Sequence, residues 1–366
     1  MRVLILGGYG VFGKRIAEAL ASEGNLTLII AGRSVGKARR FADTLGVEAV
    51  YIDIYQNLKA ALEEVNPHII INCCGPFQGQ DFTVFEQCMS QGIHYIDLAD
   101  GRDYVAQFVQ KDKQAKDGNM MAFTGASTVP AISSAIIDSL LETDFSEIHV
   151  LDYGVTPGNQ TERGVATVAA ILSYVGKSFL TLVEGEKNSI WGWQDLKRVT
   201  YPFIGKRWMA NCDIPDLDFF QARYPTLKTI RFFAGLELSI LHLGLWLVSW
   251  PVRWRWLSSL TPFASLCRTI SLWFYPLGSQ NGGMHLHAKG IDRENRAKAV
   301  QWYLIAKEGH GPYIPATPAV IITKKIASGE LKDRGAYAAV GFMSKDELMA
   351  QWQALNIREV KHEAAL

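Results

Sequence analysis

Glycines at positions 8, 10 and 13 follow directly on the apolar run 3–6. Read from Gly8 they fall as GxGxxG, and read from Gly7 as GxxGxxG. This spacing lets a strand turn into a helix with a pyrophosphate against the turn. Gly8 is expected to supply the sharp exit from the strand. Gly10 has no side chain to keep a phosphate from the backbone and the helix N-terminus. Gly13 permits close packing of helix on sheet. Gly7, Val11 and Phe12 complete the loop and are expected to touch the same ligand.

The end of the second apolar run, "LIIAGRSVGK", indicates which dinucleotide this is. NAD sites place Asp or Glu here to bind the ribose 2′-hydroxyl. Gly32 occupies that position, and Arg33 and Ser34 follow it. A guanidinium can fork onto a 2′-phosphate, a hydroxyl can add a donor, and Lys37 adds charge. The expected cofactor is NADP(H).

Two further run ends belong at the same crevice. "INCCGPFQGQ" puts Cys74, Gly75 and Pro76 after the fourth run, where proline enforces an extended exit suited to the nicotinamide side. "HYIDLADGRDYV" brings Asp97, Asp100, Arg102 and Asp103 to the end of the fifth, where open α/β sheets bind ligands. Asp100 and Asp103 read equally well as helix N-caps. Asp53, ending the third run, either borders the adenine or is a solvated strand end. The acid/base candidates are Asp97 and Tyr95 from the fifth run and Tyr153 further on.

The elements that must position these groups follow from periodicity. Apolar runs at 3–6, 26–31, 50–54, 69–73, 94–98 and 120–124 alternate with helix-like segments, among them 34–46, 56–65, 80–92 and 102–117. Continuous apolar strands between helices predict a doubly wound parallel sheet, a Rossmann domain, over 1–128. After Gly125 the rhythm changes. A helix about 129–141, a strand 148–155, a helix 165–175 and the hairpin "GMHLHAKGID…AKAVQWYLIAKEG" predict an α+β domain with a mixed or antiparallel sheet over 129–330. The segment 331–366 is expected to pack back on the first domain.

Taken together, "GGYGVFG", "AGRS", "INCCGPFQGQ", "GIHYIDLADGRDYV" and "TGASTVPAISSA" resemble the NADP-binding domain of saccharopine-dehydrogenase-like proteins. "GHGPYIPATPAVIITKKIASGEL" resembles their bacterial members. The resemblance implies a second domain that supplies much of the substrate site, often a homodimer, and hydride chemistry that couples an amine to a carbonyl compound or reverses that step. It also implies that Gly8, Gly10, Gly13, Arg33, Ser34, Gly75 and Pro76 line the cofactor, with Asp97 and the "TGAST" turn beside the nicotinamide. Amino-acid-forming relatives need cations to anchor substrate carboxylates, and Arg163 and Arg207 are the candidates.

Composition narrows the classes further. The chain has 366 residues, a net charge of +1 and no basic block, which excludes an electrostatic case for nucleic acid. Its five cysteines show no CxxC spacing, as in a reducing compartment. The first apolar run is too short for a secretory h-region, so a cytoplasmic location is expected. Residues 238–277 are rich in Trp, Phe and Leu, yet the apolar stretch 238–250 is shorter than the roughly 20 residues of a membrane span. Three readings stay open for this insert: a dimer interface, the wall of an apolar substrate pocket, or peripheral contact with the inner face of a membrane. "YLIAK" at 303–307 has the YxxxK spacing of short-chain dehydrogenases but lies in a strand-like run. His285 and His287 share a strand face with no third ligand nearby in sequence, so no metal is expected.

Overall fold

The computed structural model describes residues 1–364. In chain order the first stretch runs β1 (Arg2–Leu6), α1 (Val11–Leu20), β2 (Thr27–Gly32), α2 (Val35–Leu45), β3 (Glu48–Tyr51), α3 (Leu58–Val65), β4 (Ile69–Asn72), α4 (Thr83–Ser90), β5 (His94–Asp97), α5 (Arg102–Val109), α6 (Asp112–Asp117) and β6 (Met121–Thr124). The single helix expected over 102–117 is two, with a break at Gln110 and Lys111. Then follow α7 (Ser133–Thr143), β7 (Glu147–Thr156), α8 (Val165–Tyr174), β8 (Ser178–Val183), β9 (Glu186–Trp191), β10 (Lys197–Tyr201), β11 (Gly205–Asn211), α9 (Asp216–Arg223), β12 (Thr229–Ala234), α10 (Ser239–Arg253), α11 (Ala264–Trp273), β13 (Gly282–Ile291) and β14 (Ala297–Ala306). The chain ends with α12 (Tyr313–Ser328), β15 (Gly335–Ala338), α13 (Lys345–Gln351) and β16 (Ile357–Glu363).

These elements form two compact units, 1–135 with 312–348, and 136–311 with 349–366. The boundaries differ from the three sequential segments expected. Residues 312–330 belong to the first unit, and 349–366 return to the second.

The first unit holds a seven-stranded, all-parallel sheet in the order β15-β6-β5-β4-β1-β2-β3. The six N-terminal strands have the Rossmann order, whose direction reverses between β1 and β4, where such sheets bind ligands. Burial explains the apolar runs: Val3, Leu4, Ile5, Ile69, Ile70 and Ile71 are shut off from solvent. The seventh strand, "GAYA", pairs with β6 through Gly335↔Met121 to Ala338↔Thr124. On one face α12 packs against α1, tied by the Tyr313 hydroxyl to Glu18 (2.8 Å) and by Lys324 to Glu23 (2.8 Å).

The second unit holds a seven-stranded mixed sheet, β10-β11-β12-β7-β13-β14-β16, and a separate β8–β9 hairpin. Only β12 and β7 run parallel. The expected hairpin is β13–β14, in register from Gly282↔Ala306 to Ile291↔Ala297. His285 is fully buried against the Tyr201 hydroxyl (2.7 Å), and His287 meets the Tyr303 hydroxyl (3.0 Å). Tyr303 of "YLIAK" is therefore part of this strand-face network. No group of three or more His, Cys, Asp or Glu among the described residues could hold a metal ion.

Candidate functional site: the dinucleotide crevice of the first unit

The glycine loop lies between β1 and α1, and each glycine has its own reason. The left-handed residue is Gly7 (φ +70°), so Gly7 makes the turn assigned above to Gly8. A Cβ on Gly7 would also stand 3.2 Å from the Cys73 carbonyl oxygen. Gly8 is needed for space: its Cβ would lie 2.9 Å from the Ile5 carbonyl and 3.0 Å from Ile30. At Gly13 a Cβ would be 2.5 Å from the Gly7 oxygen and 2.7 Å from Gly8 Cα, so α1 packs directly on the loop. Gly10 is the extended N-cap of α1, and its amide closes the turn on the Gly7 carbonyl (2.8 Å). The first amides of α1, beginning at Val11 and Phe12, lack intrahelical acceptors, and the first turn has no acid. That is an anion-binding helix end at the switch point of the sheet.

The end of β2 shows why no acid stands there. The Tyr9 ring lies over Gly32, where a Cβ would come within 2.5 Å of it. The Tyr9 hydroxyl accepts the Ser34 amide at 3.0 Å, which fixes the ring. Sequence reasoning missed Tyr9, since an aromatic between glycines has no spacing signature. Arg33 and Lys37 are exposed, and Arg33 makes no ion pair among the described residues. Ser34 caps α2 with its backbone while its hydroxyl makes no capping bond.

The β4 exit meets this edge. Burial pushes the Cys74 thiol up to about 11, with the Arg33 charge opposing that rise and Asp53 adding to it. Cys74 is thus within electrostatic reach of Arg33 and of Asp53, which follow two other strands. Asp53 does not end β3, which stops at Tyr51; it is buried and its carboxylate accepts the Tyr55 amide (3.0 Å) in a local turn. Gly75 and Pro76 follow Cys74 through a cis peptide bond. Asn72 connects the exit to β5: its oxygen accepts the Cys74 amide (3.0 Å), and its nitrogen donates to the Tyr95 hydroxyl (3.1 Å).

The acid/base candidates prove to be buried groups. The Tyr95 hydroxyl is enclosed between Asn72 and Tyr104 (3.3 Å), with its ring stacked on Phe108, so it has no exposed oxygen for a substrate. In the second unit the Tyr153 hydroxyl donates to Asp216 (2.9 Å) within an aromatic core with Phe220 and Phe232. Both tyrosine hydroxyls, expected as acid/base candidates, are buried and hydrogen-bonded within the protein. Asp97 differs. One carboxylate oxygen collects the Ala99 and Gly125 amides (3.0 and 2.9 Å) and the Thr124 hydroxyl (2.8 Å), and the Tyr95 and Tyr104 hydroxyls lie near the carboxylate. Burial raises its carboxyl to about 6 despite those donors. Asp97 therefore pins the "TGAST" turn to the end of β5. Asp100 is held by the Gln78 amide (2.9 Å), and Gly101 is the N-cap of α5, so neither acid caps that helix.

In the second unit both proposed carboxylate anchors are already engaged. Arg207 pairs with Glu237 at 3.0 Å with both side chains largely buried. Glu237 also accepts the Asn159 and Ser279 amides and the Ser279 hydroxyl, and these donors with Arg207 outweigh burial and hold its carboxyl below the usual range. Arg163 donates to Asn159 (3.2 Å) and Ser271 (3.2 Å).

The parallel sheet, the glycine loop and the second, mixed-sheet unit make up an NAD(P)-binding oxidoreductase fold. Residues 3–123, within the first unit, match the saccharopine dehydrogenase NADP binding domain. Saccharopine dehydrogenase (L-Glu forming) of Saccharomyces cerevisiae superposes with a TM-score of 0.70, covering 99% of each chain at 12% identity, a likeness of fold. A 4-hydroxy-tetrahydrodipicolinate reductase of Syntrophomonas wolfei is 29% identical over 75 residues, which span 20% of this chain and 28% of that relative's length.

Proposed function

We propose that the chain is an NADP(H)-dependent oxidoreductase that passes a hydride between the nicotinamide and a carbonyl or imine carbon of a largely apolar substrate. One observation carries the cofactor choice. The Tyr9 ring fills the space an NAD-type carboxylate would need, while Arg33, Ser34 and Lys37 offer donors and charge at the same edge. The cofactor supplies the hydride. The chain holds the pyrophosphate at the α1 N-terminus and the 2′-phosphate at Arg33, and Asp97 fixes the turn beside the nicotinamide. The engaged states of Arg163 and Arg207 support a substrate without carboxylates to anchor.

Titration with both reduced cofactors tests the reading. Arg33→Ala is expected to weaken NADPH binding roughly 10- to 100-fold, the worth of a hydrogen-bonded charge, and to leave NADH unchanged. Tighter binding of NADH by the unaltered protein contradicts it, as does an Arg33→Ala variant that keeps its NADPH affinity. Gly32→Asp alone should weaken both cofactors because its side chain meets the Tyr9 ring; with Tyr9→Ala added, NADH binding should recover.

A second reading has its own observation, the exposed apolar helices of the second unit: an NADP(H)-binding module held at a membrane or partner, with little turnover. NADPH oxidation against keto acids with amines, and then against lipid-like carbonyl compounds, separates the two.

A further inference from the structure

Within the insert 238–277, α10 turns two polar side chains inward and several large apolar ones outward. In α10 the buried positions include His242 and Ser249. His242 accepts the Leu236 amide (3.2 Å), its carbonyl accepts the Trp193 indole (3.2 Å), and Ser249 accepts from Gln194 (3.1 Å). Meanwhile Ile240, Leu247 and Val248 face outward. An ordinary surface helix has its polar residues outside.

The connection and α11 bury only Leu260 and Ala264 and expose further large apolar side chains beside Ser258, Ser265 and Thr269. Among the described residues eighteen large apolar side chains are exposed, and twelve of them lie between 240 and 277. Trp256 is 74% exposed, Trp273 73% and Leu277 69%. Single exposed apolar residues are common, but a concentration of this kind marks a surface with a partner.

The charges identify the partner. Positions 238–291 contain no Asp or Glu, while Arg253, Arg255 and Arg268 lie within the insert. Trp246, Trp250, Trp254 and Trp256 succeed one another at centroid distances of 5.2–6.0 Å, with Arg253 over the Trp250 ring and Arg255 exposed between the last two. Tryptophan and arginine are the residues that occupy the headgroup level of a bilayer. A second copy is a poorer match. A two-fold interface sets a surface against itself, so each arginine would face an equally acid-free patch. Among the described residues no helix is long and apolar enough to cross a membrane.

We infer that the surface formed by α10, α11, the loop between them and the turn 275–277 that follows α11 docks on an anionic lipid bilayer, in the interface plane, with Trp256, Trp273 and Leu277 entering the acyl boundary and Arg255 meeting lipid phosphates. This surface lies wholly in the second unit, so the inference stands independently of the cofactor assignment.

Flotation of the full chain with phosphatidylcholine vesicles, with and without phosphatidylglycerol, tests it. The protein should float with the anionic vesicles. Trp256→Ser/Trp273→Ser/Leu277→Ser should weaken that binding on the order of 100-fold, with a circular dichroism spectrum like that of the parent. Arg255→Glu, which removes little apolar area, should weaken binding to anionic vesicles roughly tenfold and leave the zwitterionic ones unaffected. The inference fails if the protein stays in the aqueous fraction with both vesicles, or if both variants float like the parent. It also fails if the triple substitution turns a non-floating dimer into a monomer, which would assign the surface to a second copy.

Discussion

Gly13→Ala is expected to lower the free energy of unfolding by about 2–3 kcal/mol and to weaken NADPH binding on the order of 100-fold. The added methyl would stand 2.5 Å from the Gly7 oxygen and 2.7 Å from Gly8 Cα, both backbone atoms that no rotamer change can clear. The helix must lift from the loop, and the Gly10–Phe12 cradle moves with it. Gly36 is a useful control on the same unit, because a Cβ there meets nothing within 4 Å. Thermal unfolding and NADPH titration of the two alanine variants check this. A Gly13→Ala protein as stable as Gly36→Ala, with parental affinity, contradicts the packing account.

The second large effect concerns pH. Asp97 ionises near 3.8 when unfolded and near 6 in the native state, because burial penalises its charge. The native state therefore binds the proton more tightly. Its contribution to stability is complete below the unfolded value and is lost as pH rises through the native one. The difference of roughly two pH units corresponds to about 3 kcal/mol. Asp97→Asn cannot ionise, and its amide oxygen can still accept from Ala99, Thr124 and Gly125. Relative to this variant the parent should lose about 3 kcal/mol between roughly pH 3.5 and 6.5, and no more above that. Urea midpoints across this range give the measurement; parallel pH profiles of the two proteins would refute a raised native carboxyl.

The pattern of what was legible in the sequence follows from the physics of each element. Strands buried on both faces must be continuous apolar runs, so β1, β2, β4, β5 and β6 stand out. β15 does not: its four residues, three of them small, form a strand by pairing with β6, far back in the chain, and are too short a run to carry a local signal. The grouping of 312–330 with the first unit was not readable for the same reason, since membership of a unit depends on distant pairing. At the site, glycine spacing and the missing acid were readable because backbone geometry dictates them. The contact of Tyr9 with Gly32 was not, nor was the burial of Tyr95 and Tyr153, because both depend on which side chains meet in space. The apolar insert was visible as composition, but only the structure shows that His242 and Ser249 point inward while its large apolar side chains are exposed.

The placement of β15 has a consequence for synthesis. Its partner β6 leaves the ribosome roughly 200 residues before it, and the whole second unit except β16 is made in between. During that interval β6 has an open edge, and α1 lacks the helix that covers it. An exposed parallel edge invites pairing with other chains. Translation that stops short of residue 338 would therefore release a nucleotide domain without its last strand, prone to aggregate. A circularly permuted gene that starts at 312 and runs on through a linker into residue 1 would deliver α12 and β15 ahead of their partners.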